Sequence, residues 1–311
     1  MANKGLRRTQ TTDRLFRGVL FGAAAIFVVL VAALFAQLVE GSWPALKSFG
    51  VSFVWTSVWN PVTQKFGALP MIYGTIVSSL VAIALAGIVG IFAAAFLAEF
   101  APKPVAEPLA FIVELLAAVP SVVYGLWGLF VLAPVMRDIV DPLLQKYLGF
   151  LPIFSGTIYG TGLLTAGIIL AIMIVPIVTA ILRDVIGAYA AEHREASMAL
   201  GATRWETMAR VILPAARAGI FGACILALGR AIGETIATTM VIGNRPAISA
   251  SLFAPSYTLA SVIANEFTEA TTDLYLSALI GLGLTLFIVS VVINALARLL
   301  IWRVLAQRRN F

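Results

Sequence analysis

The sequence is poor in charged residues, and it holds one cysteine and one histidine. Asp, Glu, Lys and Arg make up 12% of its 311 residues, against roughly 25% in soluble globular domains. With a mean hydropathy of +1.00, a water-soluble fold is excluded. Cys224 and His193 each stand alone, so neither an intrachain disulfide nor a Cys/His metal cluster can be built. We therefore expect no metal site and no catalytic residues in this chain.

The sequence also lacks the G-x-x-x-x-G-K-[ST] pattern, whose backbone N–H groups and lysine hold nucleotide phosphates. If ATP drives this protein, ATP and Mg²⁺ must be bound by a partner ATPase, and we expect no cofactor on the chain itself. The net charge of +6 would suit nucleic acid, but in so apolar a chain it more often reflects Lys and Arg gathered beside a membrane. We predict contact with a lipid bilayer and none with nucleic acid.

Six long apolar runs are present instead. They lie at about 18–39, 68–98, 109–136, 157–182, 218–243 and 274–297, and each can cross ~30 Å of hydrocarbon as a helix. The first run is longer than the apolar region of a secretory signal peptide, and no clear small-x-small cleavage site follows it, so we predict that it is retained. The sequence thus predicts an all-α integral membrane protein with six transmembrane helices.

Lysine and arginine are distributed unevenly between the two sides of these spans. Six spans place both termini on one side, and that side carries fifteen of the 21 Lys and Arg residues, against five on the other. Because the segments of membrane proteins that are rich in Lys and Arg stay on the cytoplasmic side, both termini are predicted to be cytoplasmic. The resulting division is a cytoplasmic tail (1–17), a first span (18–39) with a periplasmic loop (40–67), a core of five spans (68–297) with a cytoplasmic loop at 183–217, and a cytoplasmic tail (298–311).

The cytoplasmic loop contains two short apolar faces on either side of Gly201. Its residues 192–217 read EHREASMALGATRWETMARVILPAAR, which predicts a helix, a glycine turn and a second helix that ends at Pro214. Thr203, with Glu206 three residues later, predicts a capping box at the start of the second helix. Taken alone, such a pattern indicates an amphipathic hairpin on the bilayer surface.

The spacing in this loop resembles the Glu-Ala-Ala loop of ABC importer permeases: Glu-Ala-Ala, three residues, Gly, nine residues, then Ile-x-Leu-Pro. Ser197 stands here in place of Ala and Val211 in place of Ile. The resemblance implies the type I ABC importer permease fold and a short coupling helix that docks into a groove on the ATPase subunit. The coupling residues it implies are Glu195, Ala196, Ser197, Gly201, Ala202, Leu213 and Pro214.

A charged pair, Arg230 and Glu234, lies inside the fifth apolar run. Each charge near the bilayer centre would cost ~2.5–3.5 kcal/mol, so both should face protein or water. At i, i+4 the two side chains would share a helix face, and one interpretation is an internal pair that neutralises itself. Gly229 and Gly233 would also form a face suited to close helix packing.

The same pair also suits an anion site. Arg230 offers a planar fork of donors to a tetrahedral oxyanion, and Glu234 can accept a hydrogen bond from an anion that still carries a proton. Phosphate can donate such a hydrogen bond at neutral pH, whereas sulfate cannot. This second interpretation therefore favours phosphate.

The run LGRAIGET at 228–235, with MVIGN at 240–244 and VPSVVYGLWG at 119–128, resembles the PstC-type permeases of the bacterial high-affinity phosphate importer. The resemblance extends from about residue 68 onward. It implies a multi-pass protein of the bacterial inner membrane in which Arg230 and Glu234 lie on a phosphate pathway that works by alternating access. The implied partners are a related PstA-type permease in a heterodimer, two PstB-type ATPases that bind ATP and Mg²⁺, and a periplasmic phosphate-binding protein.

Two alternatives stay open at this stage, a permease for another oxyanion such as sulfate or molybdate and an ATP-independent secondary transporter.

Further predictions concern single residues in the third span and the long outer loop. Pro120 is predicted to kink or interrupt the third span, and Gly125 and Gly128 are predicted to allow close packing around it. Arg245, at the start of the long outer loop, could meet an incoming anion or a binding protein, but a solvated helix end is the simpler interpretation.

Overall fold

The computed structural model describes the backbone of residues 2–306 and the side chains of residues 16–189, 194–299 and 302. The side chain of His193 lies outside the described residues, as do the side chains of the basic residues that the sequence predicts for the tails before Arg17 and after Arg298. Within the described range the regular structure is helical, apart from one isolated bridge between Asn60 and Lys65.

The helices follow one another with short connections. In chain order they are α1 (Ala2–Phe49), α2 (Ser52–Trp55), α3 (Leu69–Ala95), α4 (Lys103–Ala118), α5 (Ser121–Trp127), α6 (Ala133–Val135), α7 (Asp141–Leu148), α8 (Leu163–Ala199), α9 (Arg204–Thr207), α10 (Leu213–Ile232), α11 (Ile236–Val241), α12 (Leu259–Glu266) and α13 (Asp273–Ala306).

In the described part of the chain, six helical stretches are long and apolar enough to cross a membrane, which confirms the predicted number. They are Phe16–Phe49, Leu69–Phe100, Ser121–Leu148, Leu163–Tyr189, Arg204–Ile232 and Asp273–Leu299.

The third and fifth stretches differ from the predicted 109–136 and 218–243. The helix breaks at residues 119–120, because Pro120 has no N–H to donate and holds the residue before it in an extended conformation. The fifth stretch begins at Arg204 and ends at Ile232. Hydropathy measures composition over a window, and these boundaries depend on backbone hydrogen bonds that composition does not report.

Four π-turns occur in the described chain, and each ends two residues before a proline. They span Phe96–Phe100, Gly128–Leu132, Met136–Val140 and Met208–Ile212, ahead of Pro102, Pro134, Pro142 and Pro214. A proline ring clashes with the carbonyl four residues earlier. Widening the turn relieves that clash, because the preceding residue then donates to the carbonyl five residues back. At the last turn, the N–H of Leu213 donates to the carbonyl of Met208.

The bundle centre consists of α3, α8 and α10, packed through small residues. A Cβ on Gly90 would lie 2.6 Å from Val178 Cγ1, and one on Gly167 would lie 2.5 Å from Val81 Cγ1, so α3 and α8 approach too closely for larger side chains. Around this centre α1 packs along α13, where Gly41 faces Ile280.

The bundle has two ends. We call the end that carries the connections 100–103 and 199–204 the coupling end, and the opposite end, with the connections 50–68, 149–162 and 242–272, the outer end. An aromatic cluster closes the outer end, where Trp59 Nε1 and Tyr275 Oη both donate to Glu266 Oε2, at 2.8 and 2.6 Å.

Candidate functional site

Arg230 and Glu234 meet at a break between two helices. Helix α10 ends at Ile232 with Gly233 as its cap, and α11 begins at Ile236. Glu234 therefore lies in the break, and the helix face that the sequence predicted for the pair does not exist. The side chains are still brought together, with Arg230 Nη2 3.5 Å from Glu234 Oε2. The structure thus replaces a helical i, i+4 pair with one formed across a helix terminus.

The two members of this pair differ in exposure. The Glu234 side chain is 5% exposed and that of Arg230 is 48% exposed. Glu234 Oε1 accepts a hydrogen bond from the N–H of Ala237 at 3.4 Å, so the carboxylate is fixed against the first turn of α11. The guanidinium, by contrast, has a free side on which N–H donors could meet an anion. Glu234 is therefore a fixed hydrogen-bond acceptor, and Arg230 beside it is an accessible cationic donor.

The broken third span packs against this break. A Cβ on Gly125 would lie 3.0 Å from Ala237 Cα, and one on Gly128 would lie 2.9 Å from Val241 Cγ1. Tyr124 Oη donates to the carbonyl of Leu116 at 2.8 Å and so bridges the interruption before α5. The predicted interruption at Pro120 and the close packing at both glycines are confirmed. Non-helical backbone at membrane depth is tolerated where protein or a water-filled cavity surrounds it.

Gly229 and Gly233 do not form the predicted packing face within this chain. The nearest neighbour of a Cβ on Gly229 would be the Asn294 side chain, at 4.0 Å, and a Cβ on Gly233 would meet only the carbonyl of Gly229 at 3.6 Å. Gly233 acts instead as the cap of α10.

The second group of predicted residues forms a compact turn at the coupling end. Helix α8 ends at Ala199, and Gly201 has a φ of +88°, a conformation that glycine adopts without steric cost. The predicted capping box is confirmed. The N–H of Glu206 donates to Thr203 Oγ1 at 3.3 Å, and the N–H of Thr203 donates to Glu206 Oε2 at 3.0 Å.

Ser197, the position that departs from Glu-Ala-Ala, has a structural role in this turn. Its Oγ accepts a hydrogen bond from Thr207 Oγ1 at 3.0 Å, and its carbonyl accepts the N–H of Ala202 at 3.2 Å. Glu195 and Ala196 precede it on the exposed side of α8. The Leu200 side chain, at the tip, is 91% exposed. The turn is therefore braced from inside and presents apolar surface outside.

Leu213 and Pro214 lie apart from that surface. Both are half-buried at the start of α10, and Leu213 packs against the bundle core. The prediction that the second helix ends at Pro214 is wrong, because the π-turn at Met208–Ile212 absorbs the proline and the helix continues to Ile232.

We call residues 194–207 the coupling turn. Sequence reasoning missed the contacts that hold this turn to the π-turn that follows α3. Arg194 Nη1 lies 2.9 Å from Glu99 Oε1. The rings of Phe100 and Trp205 lie 6.3 Å apart. The only local signal was a carboxylate at the edge of an apolar run, since Glu99 and its partner are 95 residues apart in the chain.

Comparisons with known proteins agree on one family. The model of the family described as "Binding-protein-dependent transport system inner membrane component" matches residues 86–306. The phosphate transport system permease protein PstC of Mesorhizobium japonicum is 47% identical over 306 residues, which cover 97% of this chain and 94% of that protein. The protein of the same name from Pasteurella multocida is 45% identical over 285 residues, covering 90% and 89%.

Among solved structures, a chain of the MetNI methionine ABC transporter in an inward-facing conformation superposes with a TM-score of 0.55. It is 17% identical in sequence, and the match covers 75% of this chain and 94% of that one. At this identity the similarity concerns the fold, which is that of a type I ABC importer permease.

Proposed function

We propose that this chain, which belongs to the binding-protein-dependent transport system inner membrane components and within them to the PstC phosphate permeases, forms a transmembrane pathway for inorganic phosphate. Phosphate passes from the periplasm to the cytoplasm across the bacterial inner membrane by alternating access. The observation that carries this proposal is the half-exposed Arg230 guanidinium beside the buried Glu234 carboxylate at the α10–α11 break.

The chemistry of the pair selects for a protonated oxyanion. Arg230 supplies charge-assisted donors to phosphate oxygens. Glu234, held by the N–H of Ala237, accepts the hydrogen bond of a phosphate P–OH group and repels an anion that carries no proton. The 3.5 Å separation of the two side chains is longer than a strong charge-assisted hydrogen bond of ~2.7–2.9 Å. The guanidinium is therefore not fully engaged by its own carboxylate.

ATP hydrolysis takes place on partner subunits in this proposal. The turn with Glu195, Ala196 and Gly201 docks on an ATPase through its exposed face, and the apolar tip at Leu200 enters the ATPase groove. The partners are a PstA-type permease in a heterodimer, two PstB-type ATPases that bind ATP and Mg²⁺, and a periplasmic phosphate-binding protein. Both termini and the coupling end face the cytoplasm. The chain itself forms and breaks no covalent bond.

The test is ATP-dependent uptake of radiolabelled phosphate by proteoliposomes that contain the complete complex. Arg230→Gln should abolish uptake without loss of assembly, whereas Arg137→Gln should leave it unchanged. Arg137 is a suitable control because it is an exposed arginine paired with a neighbouring carboxylate, Asp138, at 2.7 Å. Full phosphate uptake by the Arg230 variant would remove the pair from the pathway.

Two further arms address the alternatives. Excess sulfate or molybdate should leave phosphate uptake unchanged, and competition by either anion would favour a permease for another oxyanion. Uptake that continues without ATP, or without the ATPase subunits, would favour a secondary transporter.

A further inference from the structure

A cavity of about 280 Å³ lies at the outer end, beside the end of α11. Arg245 lines it together with four hydroxyl-bearing residues, Thr157, Tyr159, Ser249 and Ser251. Glycine, alanine and proline complete the wall. Among the residues that the structure describes, no carboxylate lines the cavity. Its volume is close to the lower limit of small-molecule sites, which is suitable for a small ion with its remaining water.

The walls of the cavity are held by hydrogen bonds between its two loops and within one of them. The N–H of Leu252 donates to the carbonyl of Ile153 at 2.9 Å, and the N–H of Arg245 donates to the carbonyl of Ser256 at 3.1 Å. The carbonyl of Ser249 accepts the hydroxyl of Tyr73, from α3. These contacts fix the backbone on which the polar side chains stand, so the cavity is formed before any ligand arrives.

Several polar groups of the cavity have hydrogen-bond donors that are not used within the described structure. In the described chain no side-chain partner of the Arg245 guanidinium is present. Ser249 Oγ accepts the N–H of Ser251, and Ser251 Oγ accepts the N–H of Phe253, both at 3.2 Å. Each hydroxyl therefore keeps its own hydrogen for another acceptor. An arginine side chain with two hydroxyl donors, in a cavity whose described lining residues include no carboxylate, is a donor set for an anion.

The cavity lies one short helix away from the charged pair. Glu234 precedes α11 and Arg245 follows it, and a helix of six residues is about 9 Å long. The two arginines thus stand at opposite ends of α11, with Arg245 on the outer side.

We propose that this cavity is a second anion site, in which Arg245 and the hydroxyls of Ser249 and Ser251 hold a phosphate ion before it reaches Arg230. Arg245 is then an entry residue and not merely a solvated helix end. The identity of the anion rests on the proposed function, whereas the preference for an anion rests on the donor set alone.

The test measures the reactivity of a cysteine placed in the cavity wall. Ala247→Cys lines the cavity, and Ser57→Cys is an exposed control at the same end. Both are made with Cys224→Ala, so that the new thiol is the only one on this chain. The complete complex in sealed vesicles is treated with an anionic and a cationic methanethiosulfonate, and modification of this chain is followed over time.

We expect the ratio of anionic to cationic reaction rates to be roughly five- to tenfold higher at position 247 than at position 57, because a nearby positive charge attracts one reagent and repels the other. Arg245→Gln should reduce that ratio to the control value, and Arg245→Lys should largely restore it. Inorganic phosphate should slow modification at position 247 alone. Equal ratios at the two positions, or no protection by phosphate, would overturn the proposal.

Two controls separate an anion site in the cavity from a protein-docking role of Arg245 and from the proposed transport function. If Arg245→Gln weakens the association of the periplasmic binding protein, then Arg245 is a docking contact for a protein carboxylate and the anion site is refuted. Protection by phosphate in a native complex that takes up no phosphate would refute the proposed function and leave the cavity site standing. Phosphate uptake without protection of position 247 by phosphate would refute the cavity site and leave the proposed function standing.

Discussion

The two members of the Glu99–Arg194 pair should contribute unequally to stability. The Glu99 side chain is 1% exposed and that of Arg194 is 38% exposed. Arg194→Gln leaves a buried carboxylate whose Oε2 already has no hydrogen-bond partner in the described structure. Glu99→Gln leaves a guanidinium that solvent already reaches, and an amide oxygen that can still accept its hydrogen bond. The first substitution is therefore expected to be the more damaging.

The expected difference can be worked from burial. Removing one partner of a fully buried pair destabilises a protein by ~3–5 kcal/mol. Because Arg194 is more than a third exposed, we discount this to about 2 kcal/mol for Arg194→Gln. For Glu99→Gln a neutral hydrogen bond remains, and the expected loss is about 1 kcal/mol. With an unfolding entropy of ~2.1 cal/mol/K per residue, the thermal midpoint of a chain of 311 residues should fall by about 3 °C for Arg194→Gln and by about 1.5 °C for Glu99→Gln.

The assay is thermal unfolding of the purified complex, followed by tryptophan fluorescence. The double variant should be no less stable than Arg194→Gln alone, since it no longer holds a buried charge. Arg183→Gln is the matched control, because its pair with Glu114 at 3.1 Å is partly exposed on both sides and should contribute under about 1 kcal/mol. A larger loss for Glu99→Gln than for Arg194→Gln would refute the reasoning from burial.

Gly125→Ala should lower stability by ~1–3 kcal/mol and slow phosphate uptake, because its Cβ would lie 2.6 Å from Met240 Sδ and 3.0 Å from Ala237 Cα. A Cβ on Gly222 would meet nothing within 4 Å. Gly222→Ala should therefore leave stability and phosphate uptake unchanged in unfolding and uptake assays. Thr203→Ala removes the capping box and should cost about 1 kcal/mol and reduce transport-coupled ATP hydrolysis. Thr203→Ser should retain both the stability and the transport-coupled ATP hydrolysis. If Thr203→Ser were as impaired as Thr203→Ala, the capping role would be contradicted.

The sequence predicted the family, the fold and the number of spans, because these follow from strong signals. An apolar run of about twenty residues must cross the bilayer as a helix, and the loop spacing around Gly201 identified the permease family, which the comparisons confirm. Orientation of the termini stays a prediction, since the structure contains no membrane. The break in the third span was predicted, because Pro120 carries its own signal. The end of α10 at Ile232 was not predicted, because the apolar residues continue on both sides of it.

The candidate site was predicted as a set of residues but not as a geometry. Arg230 and Glu234 were identified because charge inside an apolar run is costly, which is a property of the sequence. Their arrangement depends on Gly233 ending α10 and on the N–H of Ala237 meeting the carboxylate. The Glu99–Arg194 contact had no sequence signal beyond a carboxylate at the edge of an apolar run, because it exists only once α3 and α8 are packed.

Whether the helix ends at Pro214 or continues past it matters for the mechanism. A helix that ended there would place a hinge between the coupling turn and the charged pair. The π-turn before Pro214 keeps the helix continuous from Arg204 to Ile232, so about 39 Å of helix connects the capping box to Arg230. Met208 and Ile212, within that π-turn, are fully buried against the core, which holds the widened turn in place. In the proposed mechanism, a displacement of the coupling turn would therefore be carried to Arg230 by a single helix, because Pro214 is accommodated without interrupting that helix.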